Sequence, residues 1–213
     1  MLRITALLLF FVFPMEFSIA QSGQRTPDNT ASFSMRGTHT VVFNAGSWSL
    51  ASSAATNAGS SNQQGGFVGS ITHKFWLSDK WSIGPSISIL DTGVKRSTSS
   101  GNEAGRSALL TTILFGVNRA FILSQDRVNV IFYVSASLGP YMTSTAPQDA
   151  QVESTALTAF GIRPSAGMHW FLTDWLLFDF SAGYHQVSDF DEPLGEYNNY
   201  SGLEFSMGLG LAI

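Results

Sequence analysis

The chain has 213 residues, with 11 Lys+Arg against 15 Asp+Glu and a formal charge of -4. Charged residues make up 12%, roughly half the ~25% of an ordinary soluble domain, yet the mean hydropathy is only +0.13. The absence of Cys excludes a disulfide scaffold and a thiolate metal site, scattered Lys/Arg on an acidic chain speak against nucleic-acid binding, and a single long apolar run is too few for a helical membrane bundle.

Residues 1–20 read as a secretory signal peptide. Arg3 supplies the positive start, Ile4–Phe13 the apolar stretch and Ser18-Ile19-Ala20 a small-x-small cleavage site before Gln21. The apolar run is ~10 residues, short of the ~20 of a spanning helix, and Pro14 and Glu16 interrupt it further. Residues 21–36 are polar and contain Pro, Ser and Thr, as expected of a flexible lead-in. The folded domain is expected over 37–213.

Three later segments are alike: Phe75–Trp81, Phe121–Arg127 and Trp170–Trp175. Each runs from aromatic and apolar residues through Ser, Thr or Gln to Asp, the composition of a tight turn. Asp79 and Asp126 are 47 positions apart, and Asp126 and Asp174 are 48 apart. Between them lie polar stretches, Ala51–Gln64, Gly93–Arg106, Thr143–Thr155 and Val187–Tyr200, with the composition of exposed loops. A unit of about 48 residues with one tight turn and one long loop is two strands, so the 193 residues after Ala20 hold about four units, hence eight strands.

The strands alternate with period 2. In the last, Leu203, Phe205, Met207, Leu209, Leu211 and Ile213 share one face, with Glu204, Ser206, Gly208, Gly210 and Ala212 on the other. Val130–Met142, Leu176–Gln186 and Ile83–Ile89 repeat the pattern, while Thr40–Leu50 does not resolve its faces. The second face carries Ser, Gly and Ala, which suit the crowded interior of a narrow barrel better than they suit water. Segments of ~10–12 residues match the ~9–11 needed to cross a bilayer at a tilt. Phe75, Trp76, Trp81, Trp170, Phe171 and Trp175 at the tight turns are expected to form an aromatic girdle on the periplasmic side. Pro85, Pro140 and Pro164 fall inside strands, where bulges or bends are needed to absorb the lost donors. The expected fold is an all-β, eight-stranded, antiparallel, closed transmembrane barrel of up-and-down topology, its interior filled by side chains.

The signal peptide, the Phe-Leu-Thr-Asp-aromatic turn at Phe171–Trp175 with its echo at Trp76–Trp81, and the final strand resemble the small eight-stranded outer-membrane barrels of Gram-negative bacteria, the OmpA/OmpX-type superfamily. The final strand is similar to the barrel-assembly signal of that class, with Ser206, Gly208, Leu211 and Ile213 in its slots and Ile213 in place of the usual terminal aromatic. The resemblance implies outer-membrane localisation after signal-peptide cleavage, insertion by the barrel-assembly machinery, contact with lipid and lipopolysaccharide, both termini in the periplasm and four long loops outside. A monomer is expected.

Candidate chemistry is sparse. If Thr173-Asp174-Trp175 is the loop, paired residue numbers sum to 348, which sets His169 opposite Asp179 and Arg163 opposite His185 on the inward face. A buried polar network is the favoured reading of these four residues, over a lumen proton or ligand site. Small barrels that hydrolyse lipid A resemble one another in a His-x-Ser pair, and here His185 and Ser188 are three apart, which puts them on opposite faces. The acidic loop with Asp189, Asp191, Glu192 and Glu196 matches no defined cation site. Expected, then, is a non-enzymatic barrel with no cofactor, metal or nucleic-acid partner, serving a structural or surface-interaction role through an extracellular partner that its loops do not identify. Alternatives are a soluble lipocalin-like binding barrel, whose apolar faces would point inward, a lipid-A-modifying hydrolase and a narrow channel.

Overall fold

The computed structural model describes residues 34–51, 65–91, 95–98, 101–104, 109–122, 130–144, 156–191 and 199–213. The expected signal peptide, most of the expected lead-in, the middle tight turn and most of the long loops lie outside them. Eight strands form one closed antiparallel barrel: β1 (His39–Leu50), β2 (Gly65–Ser78), β3 (Trp81–Asp91), β6 (Leu109–Ile122), β7 (Val130–Ser144), β8 (Ala156–Phe171), β9 (Leu176–Val187) and β10 (Gly202–Ala212). Each pairs with its neighbour in sequence, and β1 pairs with β10 to close the cylinder. The second long loop carries a separate two-stranded hairpin, β4 (Lys95–Thr98) and β5 (Gly101–Ala104). The sequence reads this stretch as loop because a hairpin apart from the barrel sheet has no apolar face to announce it.

Alternation sorts the wall as expected. Phe43, Phe115, Phe132, Phe160, Phe205 and Met207 stand outward and exposed. Ser70, Ser86, Ser88, Ser137 and Ser206 turn inward and are buried. This is the reverse of what a lipocalin-like barrel requires. On β1, whose sequence is ambiguous, Thr40, Val42 and Trp48 face inward and Phe43 outward. The three strand prolines cause no change of register beside them. Paired numbers stay constant across the ladder gaps next to Pro85, Pro140 and Pro164. Among the described residues the barrel's one register shift lies at Trp76/Ser78, by a tight turn. A missing donor removes a bond, and the neighbouring pairs on both sides hold the register that a bulge was expected to change.

The interior is layered. Near the long-loop end, Trp48, Leu110, Tyr141, Phe190 and Tyr200 belong to one buried apolar cluster. Near the tight-turn end a second contains Met35, Val42, Trp76, Ile131, Phe171 and Leu177. Met35 comes from the lead-in. Residues 34–36, expected to be flexible, are docked: Asp79 Oδ1 in the β2–β3 turn accepts bonds from Ser34 Oγ at 2.8 Å, Met35 N at 2.8 Å and Arg36 N at 3.3 Å. Gly37, at φ 81, then reverses the chain so that its N–H donates to Trp76 O, a backbone state that glycine enters without steric cost.

Candidate functional site

Between the two apolar plugs lies a polar band, positioned by the inward rows of β1, β2, β7, β8, β9 and β10. The register carries His169 opposite Asp179, and the sum of 348 holds from Phe171–Leu177 to Gly161–Val187. His169 Nδ1 approaches Asp179 Oδ1 to 2.9 Å, close but off hydrogen-bond alignment. Aligned bonds reach Asp179 from Tyr133, whose hydroxyl donates to Oδ1 at 2.9 Å, and from Asn44 Nδ2 to Oδ2 at 3.2 Å. Lys74 Nζ sits 3.0 Å from His169 Nε2 and 3.5 Å from the Tyr133 ring centroid.

Arg163 and His185 meet through a residue absent from the sequence reading of the site, Glu204. Arg163 Nη2 donates to Glu204 Oε1 at 2.8 Å, and His185 Nε2 lies 2.6 Å from Oε2. Tyr141 Oη approaches His185 Nδ1 at 2.8 Å. Donor counting fixes the His169 ring in its neutral form and one proton of His185. An ammonium has only donors, so His169 Nε2 accepts from Lys74 and the ring proton is on Nδ1, facing Asp179. A carboxylate only accepts, so His185 carries a proton on Nε2, while its Nδ1 meets the Tyr141 hydroxyl, a group that can either donate or accept. Lys74 and Arg163 then offset Asp179 and Glu204, as burial of ions demands.

A cavity of about 30 Å³ separates the two clusters, room for a water or two. Asn44, Lys74, Tyr133, Arg163 and Asp179 contribute to its lining. His169, His185 and Glu204 are fully buried, and apolar clusters lie beyond the band at both ends. The arrangement fills the lumen with paired charges and hydrogen-bonded polar groups. His185 is buried whereas Ser188 is exposed and accepts a bond from Phe160 N, so the two do not form a hydrolytic pair. In the fourth loop, Asp189 accepts a bond from Asn199. Glu192 and Glu196 lie outside the described residues.

The girdle needs correction at two of its six members. Trp81, Trp170 and Trp175 are exposed, and Phe75 is half-buried against His39. Trp76 and Phe171 face the lumen at 1% and 5% exposure and belong to the lower plug. Trp76 Nε1 donates to Thr40 Oγ1 at 2.7 Å. Successive strand residues point to opposite faces, so neither the Phe-Trp nor the Trp-Phe pair can send both rings outward. Of the candidate assembly signal, Ser206 bonds Ser181 inside the wall at 2.8 Å, while Leu211 and Ile213 stand outward. Gly208 is required locally, because an added Cβ would lie 2.0 Å from Phe43 O.

No family model matches the chain, and no curated protein sequence does. Solved structures do. The neisserial surface protein NspA aligns at 14% identity and a TM-score of 0.55, covering 82% of this chain and 96% of its own. Pseudomonas aeruginosa OprG aligns at 12% and 0.55, with coverages of 84% and 97%. Yersinia pestis Ail, the attachment invasion locus protein, solved with a heparin analogue, aligns at 12% and 0.52, with 84% and 100%. The fold defined by the register and the inside-out wall is therefore that of the small eight-stranded outer-membrane barrels. At 12–14% identity the likeness is one of architecture.

Proposed function

We propose that the chain is a non-enzymatic integral protein of the outer membrane, exported by its first 20 residues and inserted by the barrel-assembly machinery through Ser206, Gly208, Leu211 and Ile213. Its tight turns and lead-in face the periplasm, its long loops face outward, and its role is structural or surface-interacting. The observation that carries this reading is the belt of exposed apolar side chains around the cylinder, with Phe160 at 66%, Leu138 at 65% and Met207 at 65% exposure. Soluble monomers seldom expose a continuous apolar patch beyond ~300–600 Å², whereas hydrocarbon solvates such a belt at no cost and requires the closed backbone ladder. Phospholipid and lipopolysaccharide are then its direct surroundings. Of the similar structures, NspA is a surface protein and Ail an attachment invasion locus protein, which favours the loops as the partner-binding part. The filled lumen, with apolar clusters on both sides of the polar band, favours this reading over the alternatives of a hydrolase and a channel.

Membrane fractionation tests the placement. The protein should stay in the outer-membrane pellet through carbonate and high-salt washes, dissolve only in detergent, and migrate differently on gels before and after boiling. Release by carbonate or salt alone would defeat the proposal.

A further inference from the structure

On the outer wall, near the tight-turn end, β1 and β2 bring together two histidines that the lumen network does not use. His39 pairs with Phe75 in the register and Val41 pairs with His73, so the histidines are diagonal neighbours on adjacent strands. His39 Nδ1 and His73 Nε2 face one another at 3.0 Å, with ring centroids 5.3 Å apart. Phe75 lies against His39 at 4.8 Å. Among the described residues no carboxylate touches either ring, so the pair is two imidazoles sharing one proton between opposed nitrogens.

We propose that this pair is a bidentate site for a divalent late-transition cation, Cu²⁺ most strongly and Ni²⁺ and Zn²⁺ after it. Two imidazole nitrogens on one such cation, each at ~2.0–2.1 Å, stand roughly 3.0–3.4 Å apart. The observed separation falls at the lower edge of that range, the one set by cis ligands near a right angle. The cation takes the place of the shared proton when the donor ring passes to its other neutral tautomer, its proton moving by way of solvent to the far ring nitrogen, and the two rings swing to converge on one point; the backbone ladder holding the two positions need not move. An all-nitrogen donor set selects against Mg²⁺ and Ca²⁺, which take oxygen, and follows the rise in affinity towards Cu²⁺ along the first row. The other two of the chain's four histidines, His169 and His185, are buried inside the barrel, so of the imidazoles only this pair is open to a cation outside the wall. Waters complete the coordination. The site staples the first two strands across the outer wall.

The full-length mature chain, folded in detergent micelles, is titrated with Cu²⁺, Ni²⁺ and Mg²⁺ by calorimetry, with electron paramagnetic resonance on the Cu²⁺ form. One Cu²⁺ per barrel is expected, weaker Ni²⁺ binding, no Mg²⁺ binding, and a resonance pattern of two imidazole nitrogens. Since supporting groups alone are worth ~10–100-fold in metal affinity, H39Q and H73Q should each weaken Cu²⁺ by at least ~10-fold and reduce the pattern to one nitrogen. Retained heat-modifiable migration verifies that the variants are folded. Equal Cu²⁺ affinity in the wild type and the H39Q/H73Q double variant overturns the site, as does a wild-type spectrum with one nitrogen or none.

Discussion

Glu204 holds Arg163 and His185 at once, and it does so fully buried. Removing its charge leaves a guanidinium without a counter-ion in a closed lumen, a change that costs ~3–5 kcal/mol where buried pairs have been broken. E204Q is therefore expected to lower unfolding stability by about that much, read from urea titrations in lipid vesicles. R163L/E204L, which removes both charges, should cost clearly less. A loss in E204Q smaller than that in the double variant would show that the pair is not what holds the band together. Counting residues from the Thr173 turn is enough to find His169 opposite Asp179, because a hairpin register is local. Lys74 and Tyr133 are out of reach of that method. Lys74 sits on β2 and meets His169 on β8 across the lumen, a contact set by the barrel's curvature and strand count. Glu204 was visible on the small-residue face of β10, but only the pairing of β10 with β9 brings it to His185.

At the scale of elements, period 2 decides more than composition does. It sorts the outward tryptophans from Trp76 and Phe171, and it shows why aromatic pairs at a turn serve membrane rim and lumen plug together. The same turn geometry carries the N-terminal clamp. Hydrogen bonds from Ser34 first, opposed by partial burial and aided by the Met35 and Arg36 amides, hold the Asp79 carboxyl below its ordinary range. A carboxyl lowered on folding favours the docked form while it is ionised, and that support is lost as pH falls through the folded-state value. The amide resonances of Met35 and Arg36 should thus move together with Asp79 titration at pH values below the usual carboxylate range, and D79A should release them at neutral pH. Amides that stay fixed in D79A would remove Asp79 from the clamp. The docking of residues 34–36 was hidden from the sequence, because a polar segment held by one distant aspartate has no periodicity.

Over the whole molecule, two apolar clusters with a polar band between them fill the described lumen, and a barrel so filled is expected to pass no ions. Planar-bilayer recordings of the purified protein should show no steady ionic current at moderate voltage, and a stable conductance of single-channel size would contradict the filled lumen. The eight-strand count, the alternation of turn and loop lengths and the inside-out wall were all legible, since repetition along the chain maps directly onto a meander. The layering of the lumen was not. It depends on which depth each inward residue reaches, and strand alternation records the face alone. The seam has a kinetic consequence. Most neighbouring barrel strands meet across connections such as Leu50 to Gly65 or shorter, whereas Thr40 must find Ala212, 172 positions on (212 − 40). Closing that span costs about 2 kcal/mol more in chain entropy than closing a 15-residue connection (65 − 50). β1 and β10 should therefore be the last to join, and until they do the sheet has two open edges able to pair with another chain. The interval before the seam closes, rather than any property of the finished cylinder, is when this protein is most exposed to aggregation.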